Sequence, residues 1–318
     1  MWIGFIGDLE KVAMPRQALL IVNEHSRTGK EALPDVIEGL KELGIDPVHK
    51  QCSRREDLAA LIANEGTNAE IVIVGGGDGT LNAAAAGLVK LQRPLGNLPL
   101  GTANDLARTL GIPSDLKSAL RVIAQGTIRS IDVGLVNDQM YFNVASIGLS
   151  AELALALSTE VKRRFGKFSY ALAAARVLAR ARPFHAEISG GGRKVRSLTL
   201  QVAVGNGRYY GGGNVVEKTA TIDDETLRLY SLEFVQAWRI VLMLRSFRTG
   251  EHGALNDVLM LRGGEFEITT RRPRPVNADG EIVTQTPAVF KVLPKAVKVM
   301  APKQGPAAVN QSAPLESR

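Results

Sequence analysis

The sequence predicts an α/β protein in two parts, a doubly wound parallel sheet in the first half and an antiparallel β domain in the second. Three observations predict it. Strand and helix patterns alternate over residues 17–125. After about residue 130 the texture changes to strands separated by Gly-rich turns. Two strand–glycine–helix units also follow one another within the first half. A chain of 318 residues exceeds one typical α/β domain and suggests two, and 45% apolar residues suffice for ordinary cores.

In chain order, residues 18–23, 71–74 and 94–100 read as strands, and 33–43, 57–64, 81–89 and 116–125 carry helical spacing. Beyond residue 130, the apolar runs 132–136 and 139–145 flank Asn137-Asp138, a hairpin turn. Residues 184–188, 197–205, 227–234, 266–270 and 289–293 read as further strands, with helices inserted at 151–182 and 235–247. The expected divisions are an N-terminal extension (1–16), an α/β domain (17–130), a β-rich domain (131–301) and a disordered tail (302–318). That tail is Pro/Ala/Gln/Ser-rich and has little to bury. Met14-Pro15-Arg16, directly before the first strand, is a candidate start. The opening run lacks a basic n-region and soon meets Asp8, Glu10 and Lys11, so it makes a poor signal peptide.

The chemistry concentrates in Val74-Gly-Gly-Gly-Asp-Gly-Thr-Leu-Asn82. Glycines remove every Cβ from the turn, so backbone N–H groups can approach an anion, and the helix start behind them adds about half a positive charge. Gly77 is expected at a positive φ. Asp78 is the odd residue, because a carboxylate beside phosphate is repulsive unless a cation sits between them. A nucleotide phosphate with Mg²⁺ nearby is the economical reading. The run matches neither the P-loop nor the dinucleotide fingerprint. One β-α unit later, Asn97-Leu-Pro-Leu-Gly-Thr-Ala-Asn-Asp-Leu-Ala107 repeats the design, with Gly101 in the turn and Thr102, Asn104 and Asp105 at the helix start. Parallel strands put both loops on one sheet edge, facing one crevice.

Other chemistries find little support. The lone Cys52 excludes an intrachain disulfide and fits a reducing compartment. Histidines 25, 49, 185 and 252 are scattered, with no zinc spacing and no G-x-S-x-G. No apolar run approaches the ~20 residues of a membrane span. A net charge of +7 suits nucleic acid or an anionic membrane, but aromatic residues are only 5% and no nucleic-acid motif is present. Lys162, Arg163, Arg164, Lys167, Arg176, Arg180 and Arg182 cluster among Ala and Leu, which fits a membrane-facing stretch or a solvated helix face.

Gly76 to Asn82 together with Leu98 to Ala107 resembles the diacylglycerol kinase catalytic-domain family, most closely the YegS-type bacterial lipid kinases. Supporting elements follow in order: Asn23 with Ser26-Arg-Thr-Gly-Lys30, Ile131-Asp-Val-Gly134, Phe142 to Gly148, Gly205-Asn-Gly207, Ile222-Asp-Asp224 and Asn277-Ala-Asp-Gly-Glu281. The resemblance implies a C-terminal β-sandwich, ATP and Mg²⁺, and phosphoryl transfer to a lipid hydroxyl. It implies nucleotide contacts at Asn23, Ser53, Gly76, Gly77, Asp78, Gly79, Thr80, Leu81, Asn82 and Thr102. Ser53 takes over from Cys52, which stands with it where the family has threonine, and Glu24 stands where the family usually has proline. Glu281 is implied as proton acceptor, with Asp279 as metal- or phosphate-side partner and Asp78 as a further candidate base. Lys30 or Arg27 is a candidate phosphate cation. The family's structural Mg²⁺ would fall on Asp224 and the carbonyls of Thr221 and Thr226, although Glu225 replaces the usual glycine there. Expected partners are a membrane lipid and an anionic membrane surface but no nucleic acid, with a homodimer as one compatible assembly. The expected place is cytoplasmic and peripheral at the inner membrane face. Two alternatives stand beside the lipid kinase: an NAD kinase, which shares the G-G-D-G-T loop, and a non-catalytic nucleotide- or lipid-binding regulator.

Overall fold

The computed structural model describes residues 15–156, 177, 181–206, 209–210, 214–215, 221–233 and 258–303. The first half contains β1 (Arg16–Val22), α1 (Arg27–Glu42), β2 (Ile45–His49), a 3-10 turn (Arg55–Asp57), α2 (Leu58–Glu65) and β3 (Ile71–Gly76). It continues with α3 (Asp78–Leu91), β4 (Leu95–Pro99), α4 (Asp105–Leu110) and α5 (Leu116–Gln125). The strands pair in parallel in the order β2-β1-β3-β4. Leu19, Leu20, Ile21 and Ile71 to Val74 are almost fully buried, as strands with helices on both faces require.

The second half holds β5 (Thr127–Val136), β6 (Gln139–Tyr141), β7 (Val144–Gly148), α6 (Leu149–Ala156), β8 (Phe184–Gly190) and β9 (Arg193–Gly205). A short pair, β10 (Tyr209–Tyr210) and β11 (Asn214–Val215), precedes β12 (Leu227–Glu233), β13 (Val258–Gly263) and β14 (Glu265–Thr270). Then come β15 (Pro275–Ala278), β16 (Glu281–Gln285) and β17 (Ala288–Ala301). Antiparallel pairing runs β16-β15-β7-β9-β8-β14-β17, with β12 between β9 and β13. These strands enclose a second core that includes Tyr141, Ile147, Val204, Phe266 and Phe290. β17 joins the halves. It pairs with β14 and β5, and it meets β4 in parallel at Val299↔Leu95.

Several elements differ from the sequence expectation for local reasons. α1 begins at Arg27 rather than 33, because the Ser26 hydroxyl accepts the Gly29 N–H at 3.0 Å and Pro34 is accommodated inside the helix. α3 begins at Asp78, so the glycine run is partly its first turn. The single strand expected over 139–145 is two strands broken at Phe142-Asn143, whose amides donate to the Asp279 carboxylate. The strand expected at 289–293 continues to Ala301, past a register irregularity between Leu293 and Val297 where Lys295 takes φ 49°. The helix expected at 235–247, the basic cluster except Arg182, and the terminal segments before 15 and after 303 lie outside the described residues.

Candidate active site

β1, β3 and β4 are parallel, so their carboxyl ends open on one edge and carry both glycine loops there. The loops pack backbone on backbone. Leu100 donates its N–H to the Gly76 carbonyl at 3.1 Å, and a Cβ at Gly101 would collide with Gly77 Cα. Gly77 has φ −96° and ψ −178°, which is extended backbone and not the expected positive φ. Its missing side chain serves the packing of the two loops. Asn104, itself at φ 52°, shapes the second loop: its side chain accepts from Gly101 N–H at 3.0 Å and donates to the Gly101 and Pro99 carbonyls.

The other expected nucleotide residues are placed differently around this turn. Asn23 follows β1, and its side-chain amide donates to Thr80 Oγ1 at 3.4 Å, which joins the β1 end to the first turn of α3. Ser53 is exposed, and its carbonyl meets His25 Nε2 at 3.1 Å. Leu81 is 2% exposed, so its side chain belongs to the core and only its backbone faces the turn. Asn82 lies one helical turn after Asp78, with a buried Oδ1 that has no hydrogen-bond partner among the described residues. Thr102 is exposed and lines a cavity of about 450 Å³ with Pro99, Asn104, Arg108 and Ile112.

Asp78 is tied to the second loop, because its Oδ1 accepts the N–H of Leu106 in the first turn of α4 at 3.1 Å. The carboxylate therefore has a helix start beside it, a partner the sequence did not disclose. Asn143 Nδ2 lies 3.5 Å from the same oxygen, while the Asn143 N–H donates to Asp279 at 3.1 Å. Asp279 sits at φ 46° in the turn between β15 and β16. Its carboxylate accepts backbone N–H groups from Phe142 at 2.7 Å, Asn143 and Val144 at 2.9 Å. Burial pushes its pKa up to about 7 against the pull of those amides, and Asp78 adds to the rise. With both oxygens occupied, Asp279 is poorly placed as a metal ligand. It fastens the Glu281 turn to the 142–144 segment.

Glu281 opens β16 and pairs with Arg55 from the 3-10 turn after β2. Arg55 also donates to the Gly79 carbonyl. Burial lowers its pKa from the usual arginine value. The sequence reading missed Arg55, although Ser53 two residues earlier was singled out. The cations it did propose lie elsewhere: Arg27 pairs with Glu31 at 3.8 Å with its side chain 90% exposed, and Lys30 is exposed on α1.

The second carboxylate group has a different character. Arg228 pairs with the Asp224 carboxylate, and the Thr226 N–H donates to Asp224 Oδ1 at 3.2 Å. Asp223 pairs with Arg129 at 2.8 Å and Glu225 with Lys295 at 3.0 Å. Glu225 takes φ 58°, the left-handed turn that the family's usual glycine would adopt freely. Thr221, Asp224 and Thr226 are close in sequence, but three side-chain cations already balance the acidic run. A Mg²⁺ held by Asp224 does not fit this arrangement. Among the described residues no group of three His, Cys, Asp or Glu side chains is placed to hold a metal ion.

A family profile for the diacylglycerol kinase catalytic domain matches residues 17–136. A second, for the YegS C-terminal NAD kinase beta sandwich-like domain, matches 143–301. The chain is 32% identical over 294 residues to a probable lipid kinase YegS-like protein of Klebsiella pneumoniae, covering 91% of this chain and 97% of that one. It is 29% identical over 238 residues to a diacylglycerol kinase of Bacillus subtilis, covering 74% and 78%. A crystal structure of a diacylglycerol kinase from Bacillus anthracis superposes with a TM-score of 0.77 at 26% identity, covering 92% and 99%. The fold and loops define a lipid kinase class of phosphotransferase. The chain belongs to the diacylglycerol kinase catalytic-domain family, among its YegS-type members.

Proposed function

We propose that the protein is an ATP-dependent lipid kinase that transfers the γ-phosphoryl group of ATP to the hydroxyl of a membrane lipid, with Glu281 as proton acceptor. The observation that carries this reading is the contact chain Gly79–Arg55–Glu281, which places a carboxylate of the second half beside the glycine loop of the first. The hydroxyl oxygen attacks the γ-phosphorus and the bond to the β,γ-bridging oxygen breaks. ADP leaves, and the hydroxyl proton passes to the Glu281 carboxylate. Gly76 to Thr80 and the start of α3 receive the phosphates, and the cavity at Thr102 has room for part of a nucleotide.

Mg²⁺ would supply charge neutralisation for the phosphates. Asp78 would hold it, with Asn82 Oδ1 and Asn143 Oδ1, both buried and without a partner among the described residues, as candidate further oxygen ligands, since a nucleotide-bound Mg²⁺ needs only one or two carboxylates. Asp279 positions the Glu281 turn.

The acceptor is a hydroxyl on an apolar anchor, of diacylglycerol, phosphatidylglycerol or sphingoid and ceramide type. No helix of the described residues is long and apolar enough to cross a membrane. The net charge of +7 supports peripheral binding to an anionic surface. The test is incubation with labelled ATP, Mg²⁺ and a total lipid extract, with product identification by mass spectrometry and NAD as a competing acceptor. Labelled lipid with unphosphorylated NAD is expected. NADP without labelled lipid would make the protein an NAD kinase.

A further inference from the structure

Arg55 stands between the two halves of the crevice, donating to the Gly79 carbonyl and pairing with Glu281. Three features separate it from an ordinary surface ion pair. Gly79 makes room for it, since a Cβ there would lie 3.0 Å from Arg55 Nη2 and 3.4 Å from Cζ. Its guanidinium is held against the first turn of α3, whose N-terminus attracts an incoming anion. The carboxylate it holds is also the residue proposed above to take the acceptor's proton. A carboxylate locked to a guanidinium is stabilised in its charged form and is screened from a hydroxyl, so this pairing works against proton transfer. Both side chains keep about two-fifths of their surface exposed, at 41% and 43%, so either can exchange partners.

We propose that Arg55 is the phosphate-binding arm of this site: it is parked on Glu281 when no nucleotide is present, and the terminal phosphate draws it away, freeing Glu281 for the acceptor hydroxyl. The exchange makes and breaks no covalent bond, and it rests on the lipid kinase reading. A terminal phosphate offers several oxygens and more charge than one carboxylate, and a guanidinium fork suits it. The start of α3 pulls on the same anion. Nucleotide binding then prepares the base, which leaves the carboxylate masked in the empty enzyme.

The test is calorimetric titration of ATP and of ADP, each with Mg²⁺, into wild type, Arg55→Met, Arg55→Lys, Glu281→Gln and the double variant Arg55→Met/Glu281→Gln. Arg55→Met should weaken ATP about 10–100-fold, the scale of one charge-assisted contact, and leave ADP nearly unchanged. Arg55→Lys, with the charge but not the fork, should fall between Arg55→Met and wild type. Glu281→Gln should tighten ATP several-fold by removing the parking partner, and that gain should vanish in the double variant. Thermal unfolding verifies that each variant is folded. Wild-type ATP affinity in Arg55→Met, an equal loss for ATP and ADP, or a Glu281→Gln gain that survives without Arg55 would each overturn the proposal. None of these measurements needs an acceptor, so they separate Arg55 from the kinase reading. Lipid phosphorylation with wild-type nucleotide affinity in Arg55→Met removes only the arm, whereas a wild type that binds neither nucleotide removes both.

Discussion

Gly101→Ala should be more damaging than Gly77→Ala, although the two glycines face each other. A Cβ on residue 101 would collide with Gly77 Cα and lie 2.7 Å from Asn104 Oδ1. Neither obstacle can swing away, because one is backbone and the other is held by hydrogen bonds to Gly101 and Pro99. Relief requires the loops to part by about 1 Å, an overpacking strain of ~1–3 kcal/mol. For a chain of this size that lowers the melting temperature by about 2–4 °C per kcal/mol. A phosphate contact stretched by that distance is lost, and each charge-assisted contact is worth ~1.5–3 kcal/mol, or about 10–100-fold in affinity. A Cβ on residue 77 would stand 3.2 Å from Gly101 Cα, short of ordinary contact by only a few tenths of an ångström. Gly77→Ala should therefore cost less than about 1 kcal/mol. Gly77→Val, branched at Cβ, should abolish ATP binding. Thermal unfolding and calorimetric titration of ATP-Mg²⁺ measure both quantities. A folded Gly101→Ala protein with wild-type melting temperature and ATP affinity would refute the interlocked-loop account.

Three further outcomes are expected. Glu281→Gln should keep the fold and bind ATP at least as tightly as wild type but lose roughly 10²–10⁴-fold in lipid phosphorylation. If it retains near-normal turnover while Asp78→Asn or Asp279→Asn is inactive with ATP bound, the base is that aspartate. Asp279 is protonated in the native state up to a pKa of about 7, against 3.8 ordinarily, so between these values the native state holds more protons than the unfolded state. Its contribution to stability therefore falls as pH rises through this window, by up to about 4 kcal/mol. Denaturant titrations from pH 4 to 8 should show that slope in wild type and a flatter one in Asp279→Asn; equal slopes would exclude the buried acid. Asp224→Asn removes the carboxylate from Arg228, whose side chain is 7% exposed, and should cost ~1–3 kcal/mol. Chelating Mg²⁺ should not reproduce this, and a Mg²⁺-dependent gain in melting temperature that disappears in Asp224→Asn would restore the metal site.

The parts of the fold visible in the sequence are those written in local pattern. The glycines at 75–77 and 101 and the Asn137 hairpin each act within a few residues, and the structure has them. β2 escaped notice because Ile45-Asp-Pro-Val-His49 is short, contains proline and buries only its first residue well. The extent of β17 was hidden by Pro294 and Lys295, which read as an ending but form an irregularity that the strand passes through. In the site, Asp279-Gly280 has the composition of an exposed β-turn, and the amides that enclose its carboxylate lie 135 to 137 residues away. Arg55 carries no motif. Its significance comes from Glu281 and Gly79, which only the folded chain brings to it.

The long last strand also imposes an order on synthesis. β4 would be the open margin of the parallel sheet until β17 arrives to lie along it, and Leu95 is translated about two hundred residues before its partner Val299. At ~5–20 residues per second that interval is roughly 10–40 s, during which the nascent nucleotide half has an unpaired border. Truncation after residue 136 would keep every glycine of the two loops and still leave that border bare. The two halves thus share one folding endpoint, and a ribosome that stalls before residue 288 releases a chain with neither half closed.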